Sequence, residues 1–137
     1  MCKIKFRGKS VETNEWVYGY YGVKGEGTDL EKHCIMVSTL QTNAIIPFFY
    51  FTDIEVISET VGQFIGLTDK NGNDIFDEDL LRLKCLGWEY ALVKFHNGVF
   101  GFYVNENDRL LSNVPEYWED SEIIGNIHDK YVLYNGA

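Results

Sequence analysis

The N-terminal residues 3–9 alternate strictly between polar and apolar side chains. Ile4 and Phe6 point to one side of an extended chain, and the other side carries four cations: Lys3, Lys5, Arg7 and Lys9. A period of two residues is typical of a half-buried strand. Similar patterns predict further strands at residues 16–21, 34–38, 44–46, 63–67, 75–76, 80–83, 90–95, 99–104 and 122–127.

A run of four aromatic residues follows Pro47: Phe48, Phe49, Tyr50 and Phe51. Successive side chains of a strand point to opposite faces, so four consecutive rings cannot all enter one core. Either both faces of this strand are covered, or one of them contacts another chain.

Two Asn-Gly pairs, at residues 71–72 and 97–98, indicate hairpin turns, because both residue types tolerate positive φ. A short helix is predicted over residues 109–113. The density of strands and turns predicts a mainly β chain of the α+β class. It has an antiparallel N-terminal sheet or hairpins and a small bent barrel in the C-terminal half. The length of 137 residues suits a single domain, 1–137, or its subdivision into a hairpin region, 1–58, and a barrel region, 59–137.

The chain is acidic, with 12 basic and 21 acidic residues and a net charge of −9. This charge argues against binding of nucleic acid over the whole surface, because phosphates would be repelled. The first nine residues nevertheless carry +4, which leaves −13 on the rest of the chain. The asymmetry predicts that the basic strand lies against an acidic surface of this molecule or of a neighbour.

Three cysteines, Cys2, Cys34 and Cys85, lack the spacing of a disulfide framework or a zinc site. They are expected to be reduced thiols that pack as small apolar residues. No signal peptide is recognised, and no apolar segment approaches the roughly 20 residues that span a bilayer. The expected location is therefore the cytoplasm, without a membrane partner.

Residues 69–80 have part of the pattern of a calcium loop, since Asp69, Asn71 and Asn73 occupy alternating ligand positions. The sixth position is Asp74 rather than Gly, and the twelfth is Leu80 rather than Glu, so a hairpin turn is the favoured interpretation.

The acidic triplet Asp77, Glu78 and Asp79 could bind a hard metal or supply paired carboxylates. A solvated turn, or a docking surface for the basic N-terminal strand, is favoured instead. His33, His96 and His128 have no metal-ligand spacing, and no cofactor is expected.

The basic strand also offers an alternative contact with nucleic acid. Its cations share one face, and Trp16, Tyr18 and Tyr20 of the next strand could stack on bases as in single-strand binders. The ordinary explanation is an edge strand whose Lys residues prevent aggregation.

Four ordered segments run from residue 4 to residue 127: 4–9 with 16–19, 60–63 with 66–67, 69–72 with 75–80, and 123–127. In this arrangement the chain resembles the YopX-like family of phage and prophage proteins. The resemblance implies a mainly β accessory protein whose second half is similar to an SH3-like barrel, and it implies no catalytic residues.

Two positions depart from the family pattern. Glu78 stands where the family usually has Gly, and His128-Asp129-Lys130 replaces Glu-Asn-Pro. The first departure bears on the geometry of the acidic turn, and the second on the path of the tail.

The favoured hypothesis is a non-enzymatic interaction module of a phage or prophage that associates with itself, or with a host or phage protein. Its predicted interaction surface comprises Lys3, Lys5, Arg7, Lys9, Phe48, Phe49, Tyr50, Phe51, Asp77, Glu78 and Asp79. One alternative is an acidic mimic of nucleic acid that binds a host DNA-binding protein. Another is a divalent-metal-dependent enzyme acting on nucleotides or nucleic acid through the acidic turn.

Overall fold

The structure is a computed structural model that describes residues 4–83, 88–96, 99–104, 109–111 and 115–129. The described residues form eleven strands, one short 3-10 helix and one α-helix. The chain divides into two compact units, and the boundary falls between Gln63 and Phe64. The mainly β, antiparallel character predicted from the sequence is confirmed.

The first unit is an antiparallel meander of β1 (Phe6–Lys9), β2 (Trp16–Lys24), β3 (Lys32–Gln41) and β4 (Phe48–Glu55). Its outer strand on one side is β4, and on the other side β1 pairs with Gly62 and Gln63. The buried apolar residues of this unit are Cys34, Ile35 and Val56. Cys34 is a free, buried thiol, as predicted, and Cys2 and Cys85 lie outside the described residues.

Gly19 fixes how closely β2 and β3 approach each other. A Cβ atom at this position would lie 2.1 Å from the carbonyl oxygen of Met36. Real Cβ atoms do not approach a backbone atom that closely, so only Gly fits here. The same strand contains Gly22, where a Cβ atom would meet nothing within 4 Å.

The second unit contains a five-stranded antiparallel sheet in the order β10-β9-β8-β7-β11. These strands are β7 (Asp79–Leu83), β8 (Trp88–His96), β9 (Val99–Val104), β10 (Arg109–Leu111) and β11 (Ser121–Asn126). Strand β5 (Gly62–Thr68) pairs with β6 (Asp74–Phe76) through Phe64 and Phe76. The buried cluster of this unit is Ile75, Leu81, Leu83, Ala91, Val93 and Trp118.

Among the described residues, neither sheet closes into a barrel, because β10 and β11 lie at opposite edges of the five-stranded sheet. The predicted SH3-like barrel is therefore not confirmed. The helix predicted over residues 109–113 is wrong. Residues 109–111 form β10 opposite β9, and helix α1 (Pro115–Asp120) begins at a proline, a residue favoured at the first helical position.

The strand predicted at residues 44–46 is also wrong, because these residues form bends between β3 and β4. The turn at residues 71–72 exists in another form. The hairpin loop spans residues 69–73. Of the pair Asn71 and Gly72, only Gly72 has a positive φ, of 83°. The Asn-Gly pair at residues 97–98 lies outside the described residues.

Candidate interaction surfaces

The cations of β1 lie over aromatic rings of β2. Arg7 is opposite Tyr18 and Lys9 is opposite Trp16, so all four side chains share one face of the sheet. The Arg7 guanidinium carbon lies 4.5 Å from the centroid of the Trp16 ring, and Lys9 Nζ lies 5.4 Å from it. These are cation–π distances, and Arg7 is buried in this contact with 6% exposure.

The same face continues across the sheet. Lys5 Nζ lies 5.5 Å from the centroid of the Tyr18 ring, and the Tyr20 and Phe51 rings meet edge-on at 6.5 Å. Phe49 shares the face of Phe51 because it is two residues away on β4. We call this surface the basic-aromatic face: Lys5, Arg7, Lys9, Trp16, Tyr18, Tyr20, Phe49 and Phe51. Lys3, also predicted here, lies outside the described residues.

The aromatic run of β4 is exposed on both faces. Phe49 and Phe51 are 74% and 64% exposed on one face, and Phe48 and Tyr50 are 49% and 41% exposed on the other. Among the described strands, β4 pairs with β3 alone, so its second edge faces away from the sheet. Within the described chain, neither face of this run is covered.

The exposed apolar surface extends beyond β4 into the connection from β3. We call it the hairpin tip, residues 40–51. Its exposed large apolar side chains are Leu40, Ile45, Ile46, Phe48, Phe49, Tyr50 and Phe51. No residue between 40 and 51 is charged. The hairpin tip is therefore an uncharged, apolar projection of an acidic chain.

The acidic triplet is largely built into the fold of the second unit. Asp79 is 1% exposed, and its carboxylate accepts a hydrogen bond of 2.8 Å from the backbone N–H of Phe76. Glu78 has a φ of 72°, its N–H donates to the carbonyl oxygen of Val93, and its own carbonyl accepts from Ile127. Asp79 thus lies in the interior rather than on a surface, while Asp77 and Glu78 are half-buried.

The Glu78 carboxylate has two cationic or titratable neighbours. Lys94 Nζ lies 3.2 Å from Oε1, and His128 Nε2 lies 2.6 Å from Oε2. The sequence does not predict this arrangement, because the three residues are far apart in the chain and belong to different elements.

Asp69 organises the hairpin loop and joins it to β11. Its Oδ1 accepts hydrogen bonds of 2.9 Å from the N–H groups of Asn71 and Asn73, and its Oδ2 accepts one of 3.0 Å from Ile123. Burial acts to raise the pKa of Asp69, but these donors outweigh it and the pKa lies below its usual value. Oδ1 therefore satisfies backbone groups of the hairpin loop, which agrees with the hairpin interpretation, and Oδ2 connects this loop to β11.

A series of hydrogen bonds links β2 and β3 next to the loop that connects them. Tyr21 Oη lies 2.6 Å from His33 Nδ1, and His33 Nε2 lies 3.1 Å from Glu31 Oε1. Glu31 also accepts a hydrogen bond from the N–H of Gly27. Burial, followed by the charges of Glu31 and then Glu26, raises the pKa of Tyr21. Residue patterns did not predict these hydrogen bonds, although the hairpin spacing of residues 21 and 33 was a usable signal.

A metal-binding cluster and a membrane-spanning helix both need features that the described residues lack. No group of three or more His, Cys, Asp or Glu side chains in those ranges has a geometry that could hold a metal ion. No helix in the same ranges combines the length and the apolar character needed to cross a bilayer.

Comparison with known proteins identifies the family. The crystal structure of protein EF1440 from Enterococcus faecalis matches with a TM-score of 0.61 and 16% identity, covering 97% of this chain and 99% of that chain. At this identity the likeness shows a shared fold alone. No curated protein matches the sequence significantly. The model of the YopX protein family matches residues 5–133, and the chain therefore belongs to the YopX protein family.

Proposed function

We propose that this protein is a non-enzymatic interaction module of a phage or prophage, acting in the cytoplasm, and that it associates with itself through the hairpin tip. The observation that carries the proposal is the exposure of the aromatic run on both faces of an outer strand. Monomeric proteins seldom expose an apolar patch of this kind, and such patches usually mark contact surfaces.

The backbone of β4 adds a second reason. An outer strand presents N–H and C=O groups that can pair with a strand from another chain. Soluble proteins commonly protect such strands with Lys or Pro within the strand, whereas β4 contains neither residue. Strand addition at this edge would bury the rings of the run and satisfy the backbone groups together.

Charge favours a second copy of this protein as the partner that binds the hairpin tip. Two molecules of charge −9 repel each other over most of their surfaces. The hairpin tip has no charged residue, so two tips can meet without bringing like charges together. Association through this surface is then expected to persist or strengthen as salt screens the rest of the molecule.

The test is solution mass by light scattering over a range of protein and salt concentrations. The native chain is expected to form an oligomer that survives high salt. Tyr50→Lys places a charge in the run and is expected to shift the mass toward the monomer. Leu30→Lys is the control, because Leu30 is 79% exposed but lies outside the hairpin tip.

Two outcomes would overturn the proposal. One is a monomer at every concentration. The other is an oligomer that Tyr50→Lys and Leu30→Lys weaken to the same extent.

A further inference from the structure

We propose that two copies of this protein pair their β4 strands antiparallel about a two-fold axis, with Phe51 of one copy opposite the partner's Phe51. This inference rests on the proposed self-association and specifies its register and its size, a closed dimer. It follows from the hydrogen bonds that decide which backbone groups of β4 point away from β3.

The outward backbone groups of β4 belong to its odd-numbered residues. The β3–β4 register continues to His33 opposite Val56, where the N–H of Val56 donates to the carbonyl oxygen of His33. Hydrogen-bonded pairs alternate along an antiparallel ladder, so the even-numbered residues of β4 bond to β3 and the odd-numbered residues point outward. Glu55 agrees with this alternation, because its carbonyl oxygen accepts a hydrogen bond of 3.0 Å from the N–H of Val11 on the other side.

The outward positions that stay open are Phe49, Phe51 and Asp53. Within the described part of the chain, β3 is the one strand that pairs with β4. The contact with Val11 ends the open edge at Glu55, and the edge also ends at Pro47, which has no N–H to donate. The open edge is thus a short row of backbone donors and acceptors centred on Phe51.

One register uses this whole edge in both copies. With Phe51 opposite the partner's Phe51, Phe49 lies opposite the partner's Asp53, and each such pair exchanges two backbone hydrogen bonds. A shift of two residues in one direction places Asp53 opposite the partner's Pro47, which cannot donate. The same shift in the other direction places Phe49 opposite the partner's Glu55, whose carbonyl oxygen is already bonded.

The side chains also suit this register. Phe49 and Phe51 lie on one face, exposed by 74% and 64%, and rings directly or diagonally opposite across antiparallel strands are within reach of each other. Each Asp53 keeps its ion pair with Lys24 of its own chain. The two Asp53 residues are about 14 Å apart along the strands, which exceeds the Debye length of about 8 Å at physiological ionic strength.

A two-fold contact of this kind closes after two copies. It uses the open edge of β4 in both molecules, so a third copy has no place to add at this edge. The expected oligomer therefore has twice the mass of the chain, and its mass does not grow further as protein concentration rises.

The test is disulfide trapping of the full-length protein in a glutathione redox buffer. Phe51→Cys places two thiols opposite each other across the axis, with about 5.5 Å between their Cα atoms, a separation that a disulfide spans. A covalent dimer is expected, and mass spectrometry of the digested protein identifies the link between the two substituted positions. The native chain shows the background from its own cysteines.

Phe49→Cys is the matched control, because Phe49 is a similarly exposed ring on the same face of the same strand. Its two copies lie about 14 Å apart in the proposed register, which is too far for a disulfide, so no link between them is expected.

A second measurement tests the backbone hydrogen bonds. Phe51→Pro and Phe51→Ala both remove the ring, but only Pro removes the outward N–H, which β3 does not use. The dimer dissociation constant of Phe51→Pro is expected to exceed that of Phe51→Ala by about 5- to 150-fold, the loss of one hydrogen bond from each copy.

Three results would overturn the inference: no link at position 51, equal linking at positions 49 and 51, or equal dissociation constants for the Pro and Ala variants. If light scattering still shows an oligomer of the native chain, the register fails and the proposed self-association stands. A native chain that is monomeric at every concentration would overturn both.

Discussion

Glu78 Oε2 lies 2.6 Å from His128 Nε2, and the backbone of Glu78 is left-handed, with a φ of 72°. A non-glycine residue in this region carries a conformational cost of about 1–2 kcal/mol. Gly adopts such a backbone without this cost. The contact of the Glu78 carboxylate with Lys94 Nζ offsets part of that cost here.

The first prediction separates the backbone of Glu78 from its side chain. Glu78→Ala and Glu78→Gly both remove the carboxylate, but only Gly relieves the backbone. Glu78→Gly is expected to exceed Glu78→Ala in free energy of unfolding by about 1 kcal/mol, measured by urea denaturation. Equal stabilities, or a more stable alanine variant, would contradict the strained backbone.

The second prediction concerns Asp69. Asn keeps the shape but replaces one acceptor oxygen by a donor, so Asp69→Asn leaves a backbone N–H of Asn71, Asn73 or Ile123 unsatisfied. We expect a loss of about 2–3 kcal/mol in unfolding free energy at neutral pH. Thermal and urea denaturation measure it, and Asn71→Ala serves as a control, because the contact of Asn71 with Asp69 is made by its backbone N–H.

The pH dependence of Asp69 follows from its lowered pKa. As the pH falls, Asp69 of the unfolded chain takes up its proton near the usual pKa of 3.8, before Asp69 of the folded chain does. The Asp69 carboxylate therefore contributes its full stabilisation only above that pH. The contribution is lost as the pH falls through the lower pKa of the folded state. The native chain should therefore lose stability relative to Asp69→Asn between about pH 4 and more acidic values, and parallel pH profiles would refute this.

The third prediction tests the approach of β2 and β3. Gly19→Ala forces a Cβ atom against the Met36 carbonyl and is expected to destabilise the chain by about 1–3 kcal/mol or more. Gly22→Ala on the same strand has open space and is the matched control. Its change in unfolding free energy should be well under that of Gly19→Ala.

The fourth prediction concerns the chain from Tyr21 through His33 to Glu31. Tyr21→Phe removes the hydroxyl at 2.6 Å from His33 Nδ1 and is expected to cost about 1 kcal/mol at neutral pH. Because the folded pKa of Tyr21 is raised, its contribution is present below pH 10.0 and is lost as the pH rises through the folded value. The stability difference from Tyr21→Phe should therefore shrink above pH 10. Leu30→Ala, an exposed residue of the same loop, should show no such change.

The sequence predicted most strands because alternation and turn residues act locally. The strict alternation of residues 3–9 predicted the strand β1, and the aromatic run indicated the strand β4. The strand prediction at residues 44–46 is wrong because Ile45 and Ile46 are exposed in bends. An exposed apolar residue cannot be distinguished from a buried one in the sequence alone. Residues 109–111 form a strand through pairing with β9, which is a tertiary effect.

The site residues were harder to predict for a related reason. Acidic side chains are usually exposed, so burial of Asp69 and Asp79 could not be inferred from residue type. Both are stabilised by specific backbone donors, and one of those donors, Ile123, lies 54 residues further along the chain. The basic-aromatic face, in contrast, was partly foreseeable, because adjacent strands of a short hairpin must align Arg7 with Tyr18 and Lys9 with Trp16.

The hairpin tip gives Pro47 a role during folding. From Ala44 to Phe51 the chain is apolar and uncharged, and Pro47 interrupts this run. Such a segment would otherwise match the composition of fibril-forming peptides, and a proline that cannot donate to a cross-β ladder acts as a gatekeeper. Pro47 is thus expected to oppose cross-β stacking of this segment between unfolded chains, while the folded strand β4 keeps its exposed rings.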